Sequence, residues 1–99
     1  MARCPLELLD DLADILQRMR GWEGVVEKSP GVFYAQRQPF LRFHLVEGGR
    51  RRADIKSRTG WVSFDLPRPV PAAPRRRFLR ALAQQHAERV RSAPRTRRG

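Results

Sequence analysis

Guanidinium groups dominate the chemically capable residues of this chain, and they come in runs: Arg50-Arg51-Arg52, Arg75-Arg76-Arg77 with Arg80, then Arg89, Arg91, Arg95, Arg97 and Arg98. A guanidinium forks onto phosphate oxygens through a planar set of donors, so such runs point to a polyanion, nucleic acid above all, held through its backbone. Arginine outnumbers lysine nineteen to two. GC-rich coding bias enriches Arg, Ala, Pro and Gly in the same way, so composition leaves polyanion binding and a merely solvated arginine surface both open.

Other residues offer other chemistry. Trp61, Phe40 and Tyr34 are platforms on which an unpaired base stacks, with Arg42, Arg52 and Lys56 to meet its backbone; a Trp at this position equally closes one end of a core. His44, Asp54, Ser63 and Asp65 contain the groups of an acid-base or nucleophilic set, but no nucleophile elbow, oxyanion loop or paired-carboxylate motif accompanies them. No catalytic residue is therefore assigned. Cys4, His44 and His86 share no metal-ligand spacing, and nothing signals a cofactor. His86 falls in an apolar helical stripe and is expected to pack there with one ring nitrogen satisfied. Glu7, Asp10, Asp11 and Asp14 make one helix face acidic, which suits its N-terminal dipole, or a weak cation site, or a basic partner. Arg68, Pro71 and Pro74 have the spacing of a polyproline ligand, though the same segment serves as a plain connector.

Charge is divided by position. Residues 1–49 carry six Lys/Arg against seven Asp/Glu, and residues 50–99 carry fifteen against three. A field of that sign in one half draws polyanions. Ninety-nine residues suffice for one domain. A single cysteine rules out an intramolecular disulfide and fits a reducing, cytoplasmic setting. Acids interrupt the apolar stretch from Leu6 to Met19, which argues against a signal-peptide core or a spanning helix there.

The elements that must position these groups follow from periodicity. Leu8, Leu9, Leu12, Ile15, Leu16 and Met19 trace an amphipathic helix over 5–20, opened by Pro5 and closed by Gly21. Strands are predicted at 25–28 and 32–36 about a Ser29-Pro30-Gly31 turn of type II, and at 40–46, followed by a Gly48-Gly49 reversal and two more runs around Ala53-Ile55 and Val62-Leu66. Four prolines between 67 and 74 end the sheet. A second helix runs from Pro74 to near Arg91, with Phe78, Leu79, Leu82, Ala83, His86 and Val90 as its apolar stripe. Residues 1–91 then form one domain and residues 92–99 a disordered basic tail.

The expected fold class is α+β: a two-layer sandwich in which an antiparallel meander of four strands, or five, carries both helices on one face. Alternation places Arg42, His44, Arg52, Asp54, Lys56, Trp61, Ser63 and Asp65 on the opposite, open face, with Phe40 near its edge. Phe40-Leu41-Arg42-Phe43-His44, Ala53-Asp54-Ile55 and Gly60-Trp61-Val62-Ser63-Phe64 resemble a pattern in a family of small α+β proteins labelled as a luciferase domain, and the order of elements is similar to a frataxin-like sandwich. The first resemblance implies no light-producing chemistry; the second, at the level of fold alone, includes small bacterial proteins with proposed DNA-binding roles. The function expected is a non-enzymatic module binding nucleic acid or another polyanion through its Arg-rich half; the alternative is a protein-interaction or small-ligand domain using the open sheet face.

Overall fold

A computed structural model of the protein describes residues 2–92. Five strands form an antiparallel meander in which sequence neighbours are also spatial neighbours: β2 (Val25–Ser29), β3 (Val32–Ala35), β4 (Gln38–Val46), β5 (Arg50–Ser57) and β6 (Gly60–Asp65). A two-residue β1 (Ala2–Arg3) pairs with the far end of β4, Ala2 with Leu45 and Arg3 with His44. Helix α1 (Ala13–Arg20) and helix α2 (Ala72–Ser92) lie on one face, so the fold is α+β with an open sheet.

The N-terminal helix is less regular than its periodicity predicts. Leu6–Leu12 is a 3-10 helix, with Leu9 at φ −109°, ψ 16°, and only Ala13–Arg20 is α-helical. Side chains three apart eclipse in a 3-10 turn, which aligns Leu9, Leu12 and the following Ile15, all at most 1% exposed. The predicted stripe is thus buried by a tighter path. Gly21 ends the helix as expected.

Turn chemistry explains the meander. Gly31, at φ +76°, supplies the positive dihedral that a type II turn demands after Pro30. Gly48 and Gly49, at φ +80° and +74°, turn β4 back into β5. The β3–β4 turn, by contrast, has no glycine: Gln36 and Arg37 adopt φ +54° and +69°. Tertiary contacts hold it there. Arg89 donates to the carbonyls of Ala35 (3.1 Å) and Pro39 (2.7 Å), and the Gln36 amide nitrogen donates to Gly24 O.

Between β3 and β4 the register slips by one, Phe33 facing Leu41 while Tyr34 faces Pro39. Phe40 is the extra residue of a bulge, which re-aims its side chain. It is fully buried, so its expected place at the edge of the open face is corrected: it packs on the helix side against His86 (centroids 6.5 Å). The rest of the core is as the alternation predicts, with Phe33, Leu41, Phe43, Ala53 and Ile55 meeting the leucines of the first helix. Phe78 of α2 lodges between Phe43 and Phe64 at 6.0 and 5.8 Å. Burying each such ring stabilises by about 1.5–3 kcal/mol. Ala83 is exposed rather than part of the stripe, and Val62, on the edge strand beyond the helices' reach, is 46% exposed.

Arg51 joins the layers. Strand alternation gives it the inward phase of Ala53 and Ile55, and the residue is 3% exposed. It donates to Leu66 O (3.0 Å), Leu8 O (2.7 Å), Pro67 O (2.7 Å) and both oxygens of Asp11 (2.6 and 2.9 Å). These contacts use all of its donors. Asp11 also accepts the Val70 N–H at 2.8 Å. Removing one partner of a buried pair strands the other. Arg51→Ala should therefore lower stability by about 3–5 kcal/mol, read as a fall in the urea midpoint. Arg50→Ala, at an exposed neighbour, should stay within about 0.5 kcal/mol; equal effects at the two positions would show that the Arg51 pair does not hold the layers together.

Candidate nucleic-acid interface

The uncovered side of the sheet is a lattice set by register. Arg42 pairs with Asp54 and Asp54 with Ser63; His44 pairs with Arg52 and Arg52 with Asp65; Lys56 pairs with Trp61. Side chains of paired residues share a face, and the even phase of β4 and β5 therefore brings Arg42, His44, Arg52, Asp54, Lys56, Trp61, Ser63 and Asp65 together as the alternation predicts. Val32 pairs with Arg42, which adds Tyr34 and Lys28 from β3 and β2.

Asp54 is the centre. Although it belongs to the uncovered face, it is 2% exposed, because four neighbours fold over it. Ser63 Oγ donates to Oδ1 at 2.7 Å. Arg52 Nε lies 3.3 Å from Oδ1, while His44 Nε2 and Arg42 Nε lie 3.2 and 3.6 Å from Oδ2. Burial would raise the Asp54 pKa, but the Ser63 hydroxyl and the charges of Arg52, His44 and Arg42 hold it below the usual carboxylate value. His44 is shifted down as well: burial disfavours its cation, Asp54 opposes that, and Arg42 and Arg52 reinforce it. Arg42 Nε and His44 Nε2 are buried yet lack a directed hydrogen bond among the described residues. Charge attraction brings the Arg42 guanidinium to the carboxylate, and His44 lies beside it at 3.2 Å.

Trp61 sits beside this cluster, half-buried on the face instead of closing the core. Arg42 Cζ lies 4.0 Å and Lys56 Nζ 5.3 Å from its ring centroid, both within cation–π range. Lys28 stands over Tyr34 in the same manner at 5.2 Å. Ser63 and His44 both contact Asp54, on different oxygens, so the carboxylate occupies the place between them. A nucleophile-to-base contact is not formed.

The Arg-rich runs are dispersed by folding. Arg51 is internal and cannot serve a polyanion, which corrects its expected role. Arg75 is drawn to Asp14 and donates to Asp11 O at 3.3 Å; Arg89 holds the β3–β4 turn; Arg68 forks onto Asp10 at 3.0 and 3.1 Å. Asp10, Asp11 and Asp14, the acidic helix face, thus each take an arginine of the same chain. Those contacts also dock the proline segment, with Val70 bonded to Asp11 and Pro74 inside α2, so it is a connector and not a free polyproline ligand. Arg50 is exposed and reaches Glu47 O at 3.2 Å. Arg76, Arg77 and Arg80 line the exposed side of α2. Arg95, Arg97 and Arg98 lie outside the described residues, as does all but the first residue of the expected tail. His86 behaves as expected, stacked on Trp22 (4.9 Å) with Nε2 2.8 Å from Glu23 O.

A cleft of about 540 Å³ beside Leu66 is lined by Arg50, Arg51 and Arg68; the Arg51 donors are all engaged within the fold, Arg68 forks onto Asp10, and Arg50 reaches Glu47 O through Nε. No group of three or more His, Cys, Asp or Glu among the described residues is placed to hold a metal ion. No described helix is long and apolar enough to cross a membrane. Comparison with protein-family models, curated proteins and solved structures finds no match in any of the three.

The histidine makes the face acid-sensitive. Unfolded His44 takes its proton near pH 6.5; the folded residue takes it only at lower pH, so acidification through that window removes stability, because the unfolded state binds more protons. Asp54 acts lower, contributing stability that is present above the ordinary aspartate value of 3.8 and lost as pH falls through its depressed folded value. Denaturant midpoints at about pH 7 and pH 5 should fall in the wild type and converge in His44→Gln. An undiminished fall in that variant would assign the sensitivity elsewhere.

Proposed function

We propose that this chain is a non-enzymatic binding module for nucleic acid and that the uncovered sheet face, more than the α2 arginines, makes the contact. What carries the reading is the placement of Arg42 and Lys56 over Trp61, with Arg52 at Asp54 on the same face, which no helix covers. The net charge of +11 supports it by attracting polyanions of any kind over long range. The reading keeps the polyanion partner suggested by composition and relocates its contact surface, because Arg51, Arg75 and Arg89 are spent on internal partners. A cytoplasmic location accords with this function. The same face seating a protein or a small ligand is the alternative outcome.

Fluorescence anisotropy of a labelled single-stranded oligonucleotide, titrated with salt, tests the proposal on the full chain. Three cations meeting phosphates give a slope of log K against log salt of about −2.1. Arg42→Gln with Lys56→Gln should flatten the slope by about 1.4, since each phosphate contact contributes about 0.7 for single strands. Gln at Arg76, Arg77 and Arg80 should leave it nearly unchanged. The reverse pattern would move the contact to α2, and absence of binding at about 50 mM salt, where counterion release favours association, would end the proposal. Deleting residues 92–99 should spare sheet-face binding.

A further inference from the structure

The face does more than present charge. Resting on the reading above, we infer that its ligand is single-stranded nucleic acid, with unpaired bases stacked at two stations, Trp61 with Arg42 and Tyr34 with Lys28, and the intervening backbone laid across the strands. Asp54 is the positioning residue that sets the first station.

Three observations carry this. Arg42 lies over the Trp61 ring at 4.0 Å while its side chain remains 41% exposed. A guanidinium held on an indole is a planar, charged surface whose outer side stacks with a base, or which gives way to one and turns to the adjoining phosphate. Duplex DNA keeps its bases paired and stacked on one another, so a platform of this kind is of use only to an unpaired strand.

The second observation is what holds Arg42. Asp54, 2% exposed, sits behind the guanidinium with Oδ2 3.6 Å from Nε. A carboxylate at the centre of an anion-binding face is electrostatically adverse for the ligand. Its use is orientation: Arg42 reaches diagonally from β4 over β5 to a ring on β6, a course the anchored Nε end fixes.

The third is alignment. Trp61 pairs with Lys56, and the Leu41–Ile55 pair places Lys56 level with the Phe40 bulge, beside Pro39, which is the partner of Tyr34. Both stations therefore lie on nearly one row that crosses β6, β5, β4 and β3, about 14 Å apart at three strand spacings. Each has its own cation over the ring. The bulge that turns Phe40 inward leaves this row without a third ring, so the strand between the stations meets Lys56 and Pro39.

The test uses the full chain and three probes of comparable charge: a single-stranded oligonucleotide, its duplex, and inorganic polyphosphate. Expected is tighter binding of the single strand than of either other probe, accompanied by quenching of tryptophan fluorescence. Trp61→Ala should weaken single-strand binding on the order of tenfold to a hundredfold and leave polyphosphate binding unchanged, while Trp61→Phe, which retains a ring, recovers most of it; circular dichroism confirms the fold of each. Asp54→Asn is the sharpest variant. It removes a negative charge, so a surface acting by charge alone binds every probe more tightly, whereas a positioning role weakens the single strand selectively. Equal affinity for the three probes, or single-strand binding insensitive to Trp61→Ala, overturns the inference and leaves polyanion binding standing. Failure of all three probes to bind overturns the reading it rests on.

Discussion

One buried guanidinium governs how this molecule is put together. Arg51 leaves β5 on the helix side and binds, through a single rigid fork, the 3-10 segment, the Asp11 carboxylate and the chain as it exits β6. A buried charge is tolerated only when it is paired and its remaining donors are filled, and here every donor finds an oxygen. Sheet, first helix and the connector to α2 are consequently held in one arrangement. Burial against both helices is confined to one side of the sheet, and the other side stays bare.

The same logic divides the chain's charges into two populations. Three aspartates near the N-terminus draw Arg51, Arg68 and Arg75 from the basic half. The exposed members of that set contribute little individually, as surface ion pairs do, but together they decide which guanidiniums are turned inward or along the surface and which are displayed. An apparent continuous basic half becomes an internal group, an exposed ridge on α2 and a mixed cationic and aromatic face on the sheet. The last displays aromatic rings, Trp61 and Tyr34, beneath its cations.

That face is itself organised by a buried acid. Asp54 and Arg51 are mirror cases, a carboxylate among cations on the uncovered side and a cation among oxygens on the covered side, three residues apart on β5 and, by alternation, on opposite faces. Asp54 draws Arg42, Arg52 and His44 into a cluster whose hydrogen bonds are only partly directed. Such a cluster has fewer directed hydrogen bonds than the Arg51 fork, in which every donor meets an oxygen.

Much of this was legible in the residues. Whether a side chain faces the core or the solvent is a local consequence of strand and helix geometry, and so the helical stripes, the α+β class, the glycine turns and the membership of the open face could be read directly. Arg51 was legible in part, since it stands in the inward phase of Ala53 and Ile55, and the weight of three consecutive arginines hid that signal. Phe40 was not: its direction depends on a bulge set by the pairing of β4 with β3 and by a glycine-free turn that Arg89, some fifty residues away, keeps in place. Nor could the partners of the arginines be read, because an ion pair is decided by which carboxylate arrives within about 3 Å, and Asp11 and Arg51 are separated by 40 positions. Alternation along the backbone assigned the faces; folding across the chain assigned the charges, since electrostatic pairing depends on distance in space and not on order in sequence.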